Sequence, residues 1–347
     1  MSTHQLLSVQ SIDRLTPSSV AISFEVPAAL QADFAFKAGQ YLSLETTING
    51  AAVRRSYSLC SAPHECTLTV GIKQVPQGVF STHANEVIKV GDQLGVAPPE
   101  GRFVYVPNGS EGEILLIAAG SGITPVFSIL KTALAKQANT KVRLVYGNKS
   151  PEEVMFKAEL EALEKEHAGQ FKVHWVYSQS NEANALFGRV DKSVVNYALN
   201  QAEALPDQVF LCGPEGMIET AKESLEAAKV ATENIHFELF TSATAVASSE
   251  AKADGQVELL ITADGEDFTL ATTEDKTILD AALNQKIDVP YSCQGGVCCS
   301  CIARVTEGSA KMDNNQILTD DEVAEGLVLN CQALPTSAKV KNEYDDV

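Results

Sequence analysis

Basic side chains are scarce in this chain of 347 residues. There are 26 Lys and Arg against 45 Asp and Glu, a formal charge of -19. Without a basic stripe or face there is no electrostatic footprint for nucleic acid or an anionic membrane surface, so neither is expected as a partner. No run of about 20 apolar residues occurs, so no segment reads as a membrane-spanning helix. Met1-Ser2-Thr3-His4-Gln5 lacks a basic n-region leading into an apolar stretch. A secretory leader is therefore not expected, and a cytoplasmic location is. No internal repeat is visible, so the chain does not read as an array of like units.

What is present points to a folded, multidomain protein. Hydrophobic residues make up 45% and charged residues 20%, too apolar for a disordered chain and enough for well-buried cores. The length suggests two or three domains. From residue 8 to about 106, short alternating runs are separated by turn residues. Val20, Ile22, Phe24 and Val26 alternate with Ala21, Ser23 and Glu25, the period-two pattern of a strand. Further strands are expected at 41–44, 55–59, 68–70 and 93–96, with Pro99-Glu100-Gly101-Arg102-Phe103 closing a small antiparallel barrel. From about residue 113 strands and helices alternate, which implies a doubly wound parallel sheet. Strands fall at 114–119, 142–146, 171–177 and 209–211, and helices at 124–135, 152–164 and 214–228. The alanine- and serine-rich stretch 242–255 reads as a linker, with a surface helix as the alternative. Beyond it a hairpin (257–261 and 268–270) and a helix (277–284) precede a cysteine-rich loop.

Four of the eight cysteines fall within nine residues: Cys293, Cys298, Cys299 and Cys301. Such clustering suits metal or redox chemistry rather than a secreted disulfide scaffold. Cys293, Cys298 and Cys301 have the spacing C-x4-C-x2-C, and Cys331 follows after 29 intervening residues. This is the plant-type 2Fe–2S ligand pattern. Gly295 and Gly296 allow the loop to turn tightly around such a cluster. A structural zinc site or a thioredoxin-like pair at Cys298 and Cys301 are the rival readings, but paired C-x2-C knuckles and a strand-to-helix context are both missing. Cys299 is expected to be a non-ligand, and Cys60, Cys66 and Cys212 are expected to be ordinary buried thiols.

Two further sets of motifs carry chemistry. Arg55-Ser56-Tyr57-Ser58-Leu59 places a guanidinium, a phenol and hydroxyls on one strand, and a half-exposed barrel strand would look the same. Gly78-Val79-Phe80-Ser81 offers a glycine turn and a hydroxyl opening a helix, suited to phosphate. Gly120-Ser121-Gly122-Ile123-Thr124-Pro125 directly follows the buried strand at 114–119. It approximates a dinucleotide fingerprint with the third glycine missing and Pro125 fitting the first helical turn. A phosphate cradle or a plain tight turn both fit that pattern. Cys212-Gly213-Pro214 ends a later strand at the ligand-bearing edge of the sheet. After 142–146 stands Asn148-Lys149-Ser150, where an NAD site would offer a carboxylate to the ribose. Lys149 instead suits a 2′-phosphate and hence NADPH, although Glu152 and Glu153 follow closely.

Taken in order, Arg-x-Tyr-Ser, Gly-x-x-Ser, Gly-x-Gly-x-x-Pro, Cys-Gly-Pro and C-x4-C-x2-C…C make the chain similar to the ferredoxin–NADP reductase family, with a plant-type ferredoxin fused at the C-terminus. The resemblance covers essentially the whole chain except 242–255. It implies an FAD-binding antiparallel β-barrel (1–106), an NADPH-binding α/β doubly wound domain (107–241), the linker (242–255) and an α+β β-grasp ferredoxin domain (256–347). It also implies that Arg55, Ser56, Tyr57 and Ser58 bind FAD, with Gly78 and Ser81 at its phosphates. Gly120, Gly122, Thr124 and Pro125 would lie beneath NADPH, and Cys212, Gly213 and Pro214 would approach the nicotinamide. Tyr57, Ser58, Cys212 and Glu238 would form the catalytic surroundings, although Glu238 also reads as a surface-strand glutamate. Cys293, Cys298, Cys301 and Cys331 would hold the cluster.

The implied activity is electron transfer from NADPH through FAD and 2Fe–2S to the oxygenase component of a multicomponent system, whether a ring-hydroxylating, steroid-hydroxylating or other oxygenase. An electron carrier or redox sensor with no oxygenase is the alternative. Residues 256–347 hold 17 acidic and 6 basic side chains, more than half of the net charge. That imbalance suits docking to a basic partner face, or simply a solvated acidic surface.

Overall fold

The alternating apolar residues at Val20, Ile22 and Phe24 lie in a strand that belongs to a closed sheet in the computed structural model. Residues 4–107, 112–136, 139–202, 204–240, 256–263, 265–287 and 289–347 are described, so the expected linker at 242–255 lies outside them. The first sheet comprises β1 (Gln5–Thr16), β2 (Ser19–Glu25), β3 (Tyr41–Ile48), β4 (Ala51–Ser58), β5 (Leu68–Lys73) and β6 (Gln93–Val96), with helix α1 (Val79–Glu86) before β6. Its order is β4-β3-β6-β1-β2-β5, and every neighbouring pair is antiparallel. Leu59, just past β4, bridges Val70 of β5 and closes the barrel. The 99–103 segment also takes part, because Glu100 exchanges backbone hydrogen bonds with Tyr41. Leu7, Val9, Val20, Ile22, Leu42, Leu44 and Val70 fill the interior.

The second sheet is wholly parallel. It comprises β7 (Glu113–Ala119), β8 (Lys141–Asn148), β9 (Phe171–Tyr177), β10 (Leu186–Phe187), β11 (Gln208–Gly213) and β12 (Ile235–Leu239). Its helices are α2 (Ile123–Lys136), α3 (Lys157–Glu166), α4 (Lys192–Asn200) and α5 (Glu215–Ala227). The order β10-β9-β8-β7-β11-β12 reverses direction between β7 and β11. At such a switch point the strand ends diverge and leave a crevice for ligands.

Two local features differ from the sequence reading. The helix expected over 152–164 is broken. Pro151–Glu153 forms a 3-10 turn, Phe156 adopts a left-handed conformation (φ 59°), and α3 starts only at Lys157. Val154, Met155 and Phe156 are all buried. Three consecutive residues cannot share one helix face, so core packing overrides the helical pattern. Phe156 stacks on Phe127 with centroids 4.6 Å apart. Helix α4 is an element that the sequence reading does not contain. Asp191 caps it by accepting from the amides of Ser193 and Val194 at 2.9 and 3.0 Å, worth about 1 kcal/mol.

The barrel and the parallel sheet share a core. Ala21, Ala38, Cys60, Phe103 and Tyr105 pack in one cluster with Ile114, Phe127 and Phe210. This explains why Ala21, on the outward side of an alternating strand, is buried. The buried Ser128 hydroxyl donates to Ser61 O at 2.6 Å, and Lys131–Glu65 and Lys73–Glu153 ion pairs span the same seam. His4–Phe240 forms one compact unit.

A second compact unit lies within Thr241–Val347. Its described elements are β13 (Gln256–Ala263), β14 (Glu266–Thr273), α6 (Ile278–Asn284), β15 (Ile302–Glu307), β16 (Ala310–Met312), α7 (Asp320–Ala324), β17 (Leu327–Leu329), β18 (Ala333–Pro335) and β19 (Lys339–Glu343). The main sheet runs β14-β13-β19-β15-β17, with β13 and β19 parallel. Thr277 caps α6 by accepting from the Asp280 amide. The helix turns Ile278, Leu279, Ala281 and Ala282 into the core, giving the β-grasp arrangement of a sheet around one helix. Among the described residues, no helix is long and apolar enough to cross a membrane.

Candidate functional site

Both glycine-bearing turns of the parallel sheet lie at its switch point. Gly120–Gly122 forms a 3-10 turn between β7 and α2, and Cys212-Gly213-Pro214 runs from β11 into α5. The two turns touch. A Cβ at Gly122 would stand 2.1 Å from the Cys212 carbonyl oxygen, so only glycine permits this approach. Thr124 is buried and donates to Ser121 O at 3.0 Å, and Pro125 lies in the first turn of α2. The Tyr146 hydroxyl donates to Gly120 O at 3.0 Å. Beside it, the Asn148 side chain lies against the Tyr146 hydroxyl, and its buried Nδ2 and Oδ1 have no other partner in the protein. Under-satisfied amide atoms next to a glycine cradle fit a bound nucleotide. Lys149 is exposed at the end of β8, and Arg189 is exposed just after β10. The neighbouring carboxylates are engaged elsewhere, Glu153 with Lys73 at 2.8 Å and Glu152 with the Ser150 hydroxyl at 2.6 Å.

On the barrel, Arg55, Ser56, Tyr57 and Ser58 end β4. Arg55 is exposed, Ser56 and Tyr57 are half-buried, and Ser58 is buried. The Tyr57 ring lies 5.4 Å from Phe80 of α1. Burial raises the Tyr57 pKa, against the opposing charge of Arg55, so the phenol stays neutral. The Ser81 hydroxyl is buried, accepts from the Val75 amide at 3.2 Å and donates to Gly78 O at 3.4 Å. Ser81 therefore holds the turn, and Gly78 leaves the first amides of α1 uncovered by any N-cap side chain. A phenol, a guanidinium and a helix N-terminus together fit an aromatic, phosphate-bearing cofactor.

Three sequence-predicted residues from distant parts of the chain come together. Cys212 and Glu238 are register partners on β11 and β12. The Ser58 hydroxyl, 180 positions earlier, donates to Glu238 Oε2 at 3.4 Å. Burial pushes the Glu238 carboxyl up to about 8, with the Ser58 hydrogen bond opposing the shift. A carboxyl so raised keeps its proton closer to neutral pH than an ordinary glutamate. Cys212 is fully buried, and its thiol is raised well above the ordinary value by burial and then by Glu238. A thiol so raised is uncharged.

The cysteine loop lies in the other unit. The Cys293 sulfur contacts those of Cys298 and Cys331, and the Cys331 sulfur also contacts that of Cys301. Cys293 accepts from these thiols and from the Gly295 and Val297 amides, which holds it below the ordinary thiol value. The donor thiols of Cys298 and Cys331 are raised. Among the described residues, no three His, Cys, Asp or Glu side chains are arranged for a single metal ion. Side-chain interactions nevertheless link Cys298 to Cys293, Cys293 to Cys331 and Cys331 to Cys301. That donor set fits two irons.

A strap over residues 313–318 holds the loop. Asn314 Nδ2 donates to Gly295 O at 2.8 Å, the Gln316 amide donates to Gly296 O at 3.1 Å, and Gln332 Nε2 donates to Gln294 O at 3.0 Å. Gly296 has φ +74°, and a Cβ there would meet Asn314 O at 2.7 Å. Cys299 is half-exposed. Cys66, expected to be buried, is exposed on a left-handed turn (φ 54°) after Pro63–Glu65.

Fold and site define a flavin- and nicotinamide-dependent oxidoreductase that carries its own iron–sulfur domain. Three family models match: an oxidoreductase FAD-binding domain (6–105), an oxidoreductase NAD-binding domain (116–223) and a 2Fe-2S iron-sulfur cluster binding domain (261–336). The chain is 36% identical to one of the subunits of the 1,2-phenylacetyl-CoA epoxidase of Escherichia coli (strain K12), over 99% of both proteins. It is 34% identical to the ferredoxin reductase component of 3-ketosteroid-9-alpha-monooxygenase of Rhodococcus rhodochrous, over 98% of this chain and 96% of that one. Phthalate dioxygenase reductase shares the fold, with a TM-score of 0.63 at 23% identity over 98% of both chains. The chain belongs to the ferredoxin–NADP reductase-type family with a fused 2Fe–2S domain.

Proposed function

We propose that this protein is the reductase of a multicomponent oxygenase acting on phenylacetyl-CoA, driven by NADPH. The observation that carries the reading is the convergence of Ser58, Cys212 and Glu238 at the nucleotide crevice, in a chain that also bears the four-cysteine loop. Full-length similarity to the phenylacetyl-CoA epoxidase protein supports the choice of oxygenase. Bound FAD would supply the conversion of a two-electron hydride donor to single-electron delivery toward a 2Fe–2S centre.

The chain's own residues bind, orient and protonate. Arg55 and the α1 amides beyond Gly78 take the flavin phosphates, the turn being held by Ser81. Tyr57 covers the ring system, and Ser56 and Ser58 bond its polar edge. Gly120, Gly122, Thr124 and Pro125 form the nucleotide cradle, with Lys149 and Arg189 at the 2′-phosphate. Cys212, Gly213 and Pro214 border the nicotinamide position, where an uncharged thiol excludes water without competing chemically. Glu238 holds a proton beside Ser58 Oγ. Cys293, Cys298, Cys301 and Cys331 hold the cluster. The site of action is the cytoplasm, where thiols stay reduced.

Reconstitution with purified oxygenase components tests this reading. NADPH-driven product formation is expected with the phenylacetyl-CoA oxygenase at more than about ten times the rate seen with a ketosteroid hydroxylase. It should weaken as salt screens the acidic 256–347 surface. NADH should serve less well, and Lys149→Ala should lower kcat/KM for NADPH about tenfold, the cost of a charge-assisted hydrogen bond. Equal support of both oxygenases would overturn the substrate assignment. Equal use of both nucleotides by both proteins would overturn the NADPH assignment.

A further inference from the structure

Asn330 and Asn342 are both 0% exposed. They exchange two hydrogen bonds, Asn330 Nδ2 to Asn342 Oδ1 at 2.7 Å and Asn342 Nδ2 to Asn330 Oδ1 at 3.0 Å. Two carboxamides in a dry core are unusual, because an apolar pair would fill the space without desolvating four polar groups. Their place in the fold suggests what they do. Asn330 immediately precedes Cys331. Its amide donates to Cys301 O and its carbonyl accepts from the Leu279 amide in α6, both at 3.0 Å. Asn342 is fixed from two sides, in register with Ile261 of β13 and Val305 of β15. The amide pair therefore ties the residue between two ligand-bearing segments to the centre of the sheet.

We propose that the Asn330–Asn342 pair is a positioning device for the iron–sulfur centre, fixing Cys331 relative to Cys301. The proposal rests on the reading that Cys293, Cys298, Cys301 and Cys331 are the ligands. Asn342 reaches the cluster through Asn330, whose side chain also meets Tyr344, so loss of the Asn342 carboxamide alone already loosens Cys331. A buried side chain left without its partner also destabilises the unit. Replacing both with leucine removes that penalty and keeps an apolar filling. The two effects are thus separable.

The test uses the full-length chain with its cofactors, as wild type, Asn342→Leu and the double variant Asn330→Leu/Asn342→Leu. Thermal unfolding, the low-temperature EPR spectrum of the dithionite-reduced protein and iron release to a ferrous chelator are measured on each. Outer-shell partners of metal ligands commonly change metal retention about 10- to 100-fold. Iron release about tenfold faster and an altered EPR g-anisotropy are therefore expected in both variants. The double variant should recover the unfolding temperature of the wild type but not its spectrum. If the double variant has wild-type spectrum and iron release, the pair is a packing element and the proposal is overturned. If Asn342→Leu fails to fold, the double variant alone decides between these outcomes. A wild-type chain with no 2Fe–2S spectrum would instead refute the ligand assignment itself.

Discussion

Cys331→Ser is expected to abolish the 2Fe–2S spectrum and, with it, electron delivery to the oxygenase, a loss of at least about a hundredfold. The NADPH–ferricyanide activity of the same protein should stay within about twofold. The reason is geometric. Cys331 contacts both Cys293 and Cys301, so its removal breaks two of the links among the four sulfurs. Cys293→Ser, Cys298→Ser and Cys301→Ser should behave alike. Cys299→Ser should be indistinguishable from wild type, because Cys299 stands outside the C-x4-C-x2-C spacing of the proposed ligand set. Visible absorption and iron content of the purified variants check this. An intact cluster in Cys331→Ser would refute the ligand set.

Glu238→Gln is expected to lower NADPH turnover about a hundredfold, within the range for a positioned proton donor. Glutamine keeps the shape and neutrality of the protonated acid but has no proton to exchange with Ser58 Oγ. Because the carboxyl is raised from 4.5 to about 8, wild-type turnover should fall as the pH rises through about 8, and the variant should lose that limb. Stability follows the same linkage. Between about 4.5 and 8 the folded chain binds a proton that the unfolded chain has released, so stability declines as the pH rises across that window. The group's contribution is fully favourable below about 4.5 and fully lost above about 8. Unfolding midpoints measured from about pH 5 to 9 should show a shallower decline in Glu238→Gln. Wild-type turnover and pH dependence in the variant would remove Glu238 from the mechanism.

The signals that are legible in the sequence are local. Val20, Ile22 and Phe24 announce a strand because every second side chain enters the barrel interior, and the C-x4-C-x2-C spacing reads directly because one loop carries three of the clustered cysteines. What stays hidden depends on partners far away in the chain. The helix expected over 152–164 breaks because Val154, Met155 and Phe156 are drawn into a core shared with the barrel. Ser58 and Glu238 meet across 180 positions, and no periodicity encodes that meeting. Arg189 is silent for a similar reason, since its place at the sheet edge depends on β10, a strand of two residues. Helix α4 does carry a local signal, the Asp191 cap followed by apolar Val194, Val195 and Ala198, but its short length gives the pattern little weight. Cys66 is exposed because Pro63–Glu65 and a left-handed residue turn the chain outward, which composition does not report.

The most direct test of the electron path compares the full chain with one ending at Phe240, in the same reconstituted oxygenase assay. His4–Phe240 is a compact unit with its own core, so the shortened chain should fold, bind flavin and reduce ferricyanide with NADPH at a rate close to that of the full chain. It should form no oxygenase product above background, because the 2Fe-2S domain with the four cysteines proposed to hold the one-electron relay is gone. Product formation at the full-length rate by the shortened chain would contradict the assigned path from NADPH through FAD and 2Fe–2S to the partner.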